Sequence, residues 1–446
     1  MSRQRKLLPA ADEGTFERIC AQLNPEWIEA ALAATGTATV RRRRLPAEQV
    51  IWLVLGMALY RHRPITDLVE RLELVLPGAG AIAPSSVAQA RNRLGSRPMC
   101  WLFEKTAEEW GHASARRHEW NGLALYGVDG TTARIPDSEE NRAHFGGQTD
   151  RNGGLSGYPQ ARLVTLMALR SHLLCAARFG PYRLSEHLLA MELWSMVPDN
   201  SLCIVDRNFL ASGILVPLVE GGVNRHWMVR AKSTTVWKTL KRLGPGDELV
   251  EMNVTSYSRK QDASLPQRFQ ARAIRYKRKG FRPQTLLTSL VDAQKYPAAE
   301  VVALYHERWE LELGFDEVKT EMLERQEALR SQTREGVSQE LWGVGLAYNL
   351  VRLEMERIAE EAEVTPARIS FVMALRLIRD EWMWLAAASP GAIPKQLRRL
   401  RQDVRRFILP PRRRERTYPR AVKIKMSNYP RKRPRPLRHR AKTLSR

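Results

Sequence analysis

The sequence predicts an α/β protein in which a mixed sheet covered by helices follows an all-α N-terminal region and precedes further helix and a basic tail. Three observations predict it. Apolar residues recur at helical spacing from residue 14 to about 118. After Trp120 the pattern changes to three consecutive strand-like runs and then to helix–strand alternation, as a sheet with helices laid on it requires. Between 234 and about 290 that alternation stops, and strand-like runs separated by polar and basic stretches read as a β-rich insertion.

The elements follow in order. FERICAQL, PEWIEAALAAT, AEQVIWLVLGMALY, ITDLVERLELVL, SSVAQARNRLG and MCWLFEKTAEEWG are helix candidates punctuated by Pro or Gly. SSVAQARNRLG has a start signal in the Ser after Pro84 and a stop at Gly95. Its Gln89, Arg91, Asn92 and Arg93 are side chains that read base edges or grip phosphates. The same pattern also fits a helix with a solvated polar face, so a helix-turn-helix-like reader and a plain surface helix both stand. The basic block Arg41, Arg42, Arg43 and Arg44 before Leu45-Pro46 fits phosphate contact or a solvated loop equally well. LALYGVDGTTARI, ARLVTLMAL and HLLCAARFG are the three strands, the last two joined at Arg170-Ser171. The helix SEHLLAMELWSMV, the strand SLCIVD, the helix ASGILVPLVEG and the strand HWMVRAK come next. ELVEMNV, FQARAIRY and TLLTSLV are the strands of the insertion. A long helix from near Ala298 and SQELWGVGLAYNLVRLEMERIAEEA behind it complete the sheet region, and one more helical segment follows Pro366. Expected boundaries are 1–118 for the helical N-terminal domain and 119–363 for the sheet-containing domain. Residues 364–409 follow as a helical segment and 410–446 as a tail.

Charge points to a polyanionic partner, most simply nucleic acid. The net charge is +24 over 446 residues, and Arg405 to Arg446 hold 17 Lys and Arg against the single acid Glu415, a net +16 that leaves +8 for residues 1–404. A tail so rich in Arg and Pro buries little, is expected to be extended or disordered, and can act as an electrostatic arm. Cys20, Cys100, Cys175 and Cys203 form no CxxC pair, so a disulfide framework or structural zinc site is not expected. The longest apolar run, Val50 to Tyr60, is far too short to span a bilayer, and MSRQRKLLPAADEG lacks the apolar centre of a signal peptide. A soluble intracellular protein is the expectation. No GxxxxGK[ST] motif occurs, so ATP-driven chemistry is not supported.

Tyr305, Arg308, Glu312 and Lys319 share one helical stretch, VVALYHERWELELGFDEVKTEML. At about 100° per residue the last three fall near −60°, −20° and −40° from Tyr305. A phenol, a guanidinium, a carboxylate and an ammonium are thereby aimed at one place. Leu311, Phe315, Val318 and Met322 form an apolar stripe beside them, while Glu310, Glu317 and Glu321 point the opposite way, toward expected solvent. Phosphoryl transfer on DNA needs carboxylates that hold divalent cations, so further acids should converge on Glu312. Asp129 closes the strand LYGVDG and Asp206 closes LCIVD, positions from which side chains reach an active-site edge.

On these residues the chain resembles bacterial insertion-sequence transposases of the DDE class, in the insertion-sequence-four family marked by Tyr-(2)-Arg-(3)-Glu-(6)-Lys. Tyr305, Arg308, Glu312 and Lys319 reproduce that spacing without a gap. Asp129-Gly130-Thr131, with Pro136-Asp137, Asn141 and Phe145-Gly146, matches the first acidic motif, and IVDRNF around Asp206 matches the second. The resemblance covers roughly residues 35–360 and does not extend to the basic tail. It implies an RNase H-like core with a β insertion before the last acidic helix. Asp129, Asp206 and Glu312 are implied to bind two Mg²⁺ ions, with Mn²⁺ as a substitute, for cleavage at transposon ends and strand transfer into target DNA. Tyr305, Arg308 and Lys319 are implied to hold DNA phosphates, and Trp309 stands where it can stack on a flipped base or pack inside the protein. A homodimer on paired inverted repeats and a cytoplasmic, nucleoid-associated location follow from the same resemblance.

Alternatives remain at this point. Asp316, near 20° on the wheel, competes with Glu312 on geometry, and Asp137 competes with Asp129 although it is expected to cap the segment after it. Glu307 faces elsewhere, and His144 and His306 lack ligand spacing. An RNase H-like nuclease that cuts without joining, and an inert DNA-binding descendant of a transposase, are the competing functions.

Overall fold

The computed structural model describes residues 23–38, 45–75, 82–149, 157–278, 282–324, 328–385 and 393–411. Almost all of FERICAQL, the block Arg41–Arg44 and residues 412–446 of the tail lie outside the described residues.

Among the described residues nine strands form one mixed sheet in the order β3-β2-β1-β4-β5-β9-β8-β7-β6. The first five are β1 (Ala124–Arg134), β2 (Gln160–Ala168), β3 (Leu174–Pro181), β4 (Ser201–Val205) and β5 (Arg225–Arg230). β1, β2 and β3 run as an antiparallel meander, while β4 pairs parallel to β1 and β5 parallel to β4. This is the RNase H-like arrangement expected of the sequence. The parallel strands are buried on both faces, which is why SLCIV reads as an unbroken apolar run rather than an alternating one.

The insertion extends the same sheet. β9 (Gln284–Thr288) pairs antiparallel with β5, followed outward by β8 (Arg268–Tyr276), β7 (Asp247–Asn253) and β6 (Lys238–Gly244). β6, KTLKRLG, was not legible as a strand, because it is exposed almost throughout and carries no apolar alternation. Such a basic, bulged edge strand resists pairing with another chain. Arg272 of β8 is fully buried and spans inward to Asp247 through two bonds of 2.6 and 2.7 Å, tying β8 to the start of β7.

Helices cover both faces. On one side the helices Glu186–Met191 and Ser212–Glu220 pack over Tyr126, Val128, Leu166, Cys203 and Val205. On the other, Leu125, Met167, Leu202 and Ile204 meet the segment 298–322 and the long helix Arg334–Glu361. The N-terminal helices Pro25–Ala34, Ala47–Leu59, Pro84–Leu94 and Arg97–Thr106 join this second core, with Trp52, Leu53, Leu55 and Phe103 buried. Pro84 itself is the first residue of its helix, so the start is one residue earlier than the Ser signal suggests, and Gly95 ends the helix at φ 67°, where a side chain would be strained. The C-terminal region holds two helices, Phe371–Leu385 and Ile393–Arg405, in place of the single segment expected. No helix among the described residues is long and apolar enough to cross a membrane.

Candidate active site

The strand register brings the first two acids together. β1 and β4 are parallel with Val128 opposite Val205, so Asp129 and Asp206, the next residue of each, stand side by side where β4 ends; Asp129 does not close its strand as expected, because β1 runs on to Arg134 and Asp129 pairs with Thr165 of β2. Neighbouring strands lie about 4.8 Å apart, within direct electrostatic range. The Asp129 carboxylate accepts the Gly130 N–H at 2.7 Å. Asp206 caps the short turn Arg207–Phe209, its side chain accepting the Asn208 N–H at 3.4 Å.

The acidic helix is seated on the sheet by two glycines. A Cβ on Gly127 of β1 would lie 2.1 Å from Leu311 Cδ2, and one on Gly314 would lie 2.6 Å from Met167 Cε of β2. Close approach at both points seats the segment Trp309–Asp316 on β1 and β2, on the face that Asp129 shares with Gly127. Glu312, next to the buried Leu311, and Asp206 are linked through one side chain. Arg308 joins them: its guanidinium donates to Glu312 Oε1 at 2.6 Å and lies 3.7 Å from Asp206 Oδ1.

The stretch is not a single α-helix. Ala298–Tyr305 is α, His306–Arg308 a 3₁₀ turn, Trp309–Asp316 α and Glu317–Met322 a π turn. The 3₁₀ turn overwinds and the π turn underwinds the chain, so the uniform wheel is only approximate. Tyr305 is buried beside Tyr276, Arg230, Arg308 and Asp206, and burial pushes its phenol above the ordinary range. Lys319 is exposed, its ammonium 5.8 Å from the centre of the Phe315 ring and within the field of Asp129, Asp316 and Glu186. Trp309 is 42% exposed, which excludes the core-packing alternative.

Three expectations change. Glu310 and Glu317 do not face solvent: they reach the buried His172 at 3.1 and 3.3 Å, and Glu317 also holds the buried Arg352 at 2.5 Å and the Tyr348 hydroxyl at 2.8 Å. Burial opposes ionisation of Glu317, but Arg352 and His172 outweigh it and hold the carboxyl below its usual range. The helix wheel could not reveal this, because the long helix Arg334–Glu361 and the β2–β3 turn cover that side. Arg91 turns inward as well, donating to Gln339 at 2.9 Å and Ser331 at 2.8 Å with Glu340 3.6 Å away, whereas Gln89, Asn92 and Arg93 stay exposed. Asp137 does not cap the helix Glu139–Phe145; Ser138 does, and Asp137 takes the Arg142 guanidinium. Asp316 is exposed and accepts the Thr320 hydroxyl at 2.6 Å, and Glu307 pairs with Arg170 at 2.8 Å. His306 lies edge-on to Tyr276 and His144 edge-on to Phe145.

Electrostatics mark the spot as short of positive charge. Burial pushes the Asp129 carboxyl up to about 6; the Gly130 N–H opposes this, Asp206 and Glu186 add to it, and Arg308 relieves it. Among the described residues no three His, Cys, Asp or Glu side chains stand close enough to grip one ion, and Arg308 is the cation the acids share. The adjacent Asp129 and Asp206 offer only oxygen donors, the kind that hard divalent cations take. Glu186, held by Arg162 and Asn208, lies over Gly130 beside Asp129, and of these residues only Asn208 carried a sequence signal, within IVDRNF.

Comparison with known proteins identifies the family. The insertion element 4 transposase N-terminal model matches residues 13–104, and the transposase DDE domain model matches residues 122–350. Transposase InsG for insertion sequence element IS4 of Escherichia coli (strain K12) is 42% identical over 410 residues, 92% of each chain. Putative transposase InsZ of the same organism is 39% identical over 237 residues, 52% of this chain and 74% of its own. A piggyBac transposase synaptic complex with hairpin DNA, solved by cryo-EM, aligns over 91% of this chain and 86% of its own at a TM-score of 0.39 and 12% identity, too distant to transfer detail. The chain therefore belongs to the insertion element 4 family of DDE transposases, DNA transposases that work with divalent metal ions.

Proposed function

We propose that Asp129, Asp206 and Glu312 hold two Mg²⁺ ions, or Mn²⁺ in their place, and that the chain uses them to cut at the inverted repeats of its element and join the ends to target DNA. The observation that carries this reading is that Asp129 and Asp206 stand side by side where β4 ends, beside a helix whose Arg308 is shared by Asp206 and Glu312. When bound, the ions would activate the attacking oxygen and stabilise the leaving one. Arg308 gives up carboxylate partners for a DNA phosphate as substrate enters, with Lys319 and the Tyr305 hydroxyl gripping the same backbone. Trp309, already exposed, stacks on an unpaired base near the cut. Around this centre, residues 119–363 act as the catalytic domain and 364–409 as a helical appendage. Residues 1–118 bind the element's ends, with Gln89, Asn92 and Arg93 toward the DNA, Arg91 bracing their helix, and Arg41–Arg44 on phosphates. Residues 410–446 act as a nonspecific DNA arm. Two copies pair the ends, in a cytoplasmic, nucleoid-associated setting.

Incubation with DNA carrying the element's ends and Mg²⁺ tests the reading. Joined products are expected. Nicks without joining would instead indicate a nuclease, and a retarded band with intact DNA a binding protein.

A further inference from the structure

Glu186 opens the helix Glu186–Met191, the element after β3, and its carboxylate lies over Gly130 of β1, the residue next to Asp129. Its Oε1 accepts from Arg162 Nη1 of β2 at 2.8 Å, and Arg162 is itself held to the Tyr182 carbonyl at 3.1 Å. Its Oε2 accepts from Asn208 Nδ2 at 3.1 Å. The carboxyl group also rests over Gly130, where a Cβ would lie 2.6 Å from Glu186 Cδ and 2.9 Å from Oε1.

These contacts converge on the backbone donors of the acids. Gly130, beneath Glu186, gives its N–H to Asp129. Asn208, bound to Glu186 through its side chain, gives its N–H to Asp206. We infer that Glu186 is a positioning residue that sets the spacing of the Asp129 and Asp206 carboxylates, an inference that rests on those two aspartates forming the cation site. It explains why glycine follows Asp129: any side chain there would displace the Glu186 carboxyl. It also gives Asn208 a role, as the link between that carboxyl and the second aspartate. An ordinary surface ion pair between a helix start and Arg162 would need neither contact. Glu186 adds negative charge to the same place, since it is among the groups acting on Asp129 and on Lys319.

The experiment is a Mn²⁺ titration of the full-length chain without DNA, followed by electron paramagnetic resonance of the free ion. The wild-type titration, with Asp129→Asn as the variant that should lose binding, tests the cation site itself. Glu186→Gln and Gly130→Ala then test Glu186 from opposite sides of one contact. Each should raise the half-saturating Mn²⁺ concentration about tenfold or more, with thermal midpoint and retention of end DNA kept near wild type. Asn208→Ala should shift it in the same direction, and adding it to Glu186→Gln should produce less than the product of the two shifts. Unchanged half-saturation in Glu186→Gln and Gly130→Ala, beside a wild type that binds Mn²⁺ through Asp129, would overturn the inference. A loss of binding sites in proportion to unfolded protein, with the midpoint of the titration unmoved, would overturn it too.

Discussion

Gly127→Ala adds one methyl group to β1, and its consequence can be worked out from the packing of the acidic helix. The new Cβ would lie 2.1, 2.4 and 2.6 Å from Leu311 Cδ2, Cγ and Cδ1. Carbon atoms rest about 3.5–4.0 Å apart, so the helix or the Leu311 side chain must retreat by about 1.5 Å. Leu311 is fully buried and Gly314, one turn on, is pinned against Met167, so the side chain has little room to rotate away. Overpacking of this kind costs about 1–3 kcal/mol. The effect on chemistry should be larger than the effect on folding, because Glu312 is the next residue and a misplacement of about 1 Å can cost about 100-fold in rate. Leu311→Ala removes the obstacle while opening a cavity, at about 2–5 kcal/mol by itself. In the double variant the methyl partly fills that space, so the two losses should sum to more than the double loses, by about 0.5–3 kcal/mol. Urea denaturation of the four proteins measures the coupling, and single-turnover strand cleavage measures the position of Glu312. Strictly additive stabilities, or a Gly127→Ala enzyme that cuts at the wild-type rate, would refute the account of how the helix is seated.

Four other outcomes are expected. Asp129→Ala, Asp206→Ala and Glu312→Ala should each abolish cleavage while leaving end binding largely intact in a gel-shift assay; retained cutting in any one removes that residue from the metal site. Asp129, with a carboxyl raised to about 6, contributes stability that is present below its ordinary value of 3.8 and lost as pH rises through about 6. In metal-free buffer at pH 8, Asp129→Asn should therefore melt later than wild type, by up to about 3 kcal/mol of stability, and the gap should close toward pH 3; equal melting at pH 8 would contradict it. Arg352→Met should destabilise by about 3–5 kcal/mol, since Glu317 would keep a buried charge without its main partner. Glu317 is depressed, so its contribution is present above the ordinary value of 4.5 and lost as pH falls through the lower one, and a wild type as stable at pH 3 as at pH 6 would argue against that pair. Truncation after Leu409 should weaken nonspecific DNA affinity and flatten its dependence on salt without removing cleavage; an unchanged slope would show that the tail is not a DNA arm.

Much of the fold was legible because strand and helix periods are local properties of the chain. The switch after Trp120 gave β1, β2 and β3, and the apolar run SLCIV gave β4, with an acid after it. Where burial was absent the pattern failed: β6 is all surface, and its residues answer to solvent rather than to a core. Asp206 stood out for a related reason, since a carboxylate just after an apolar strand is conspicuous in composition alone, whereas β1 runs on past Asp129. Glu186 did not stand out, because one more Glu at a helix start looks like any other.

By itself, then, the sequence determined the order of the elements, an aspartate within or after each of two apolar strands and the Tyr-Arg-Glu-Lys spacing on one helical stretch. Each of these is written in short local runs of the chain. Only the tertiary structure decided that Val128 lies opposite Val205, that Gly127 and Gly314 let the acidic helix sit low on the sheet, and that Glu310 and Glu317 face a buried His172 and Arg352 rather than water. Those facts depend on register and close packing between segments far apart in the chain, and periodicity along one segment holds no information about what the other side of a contact contains.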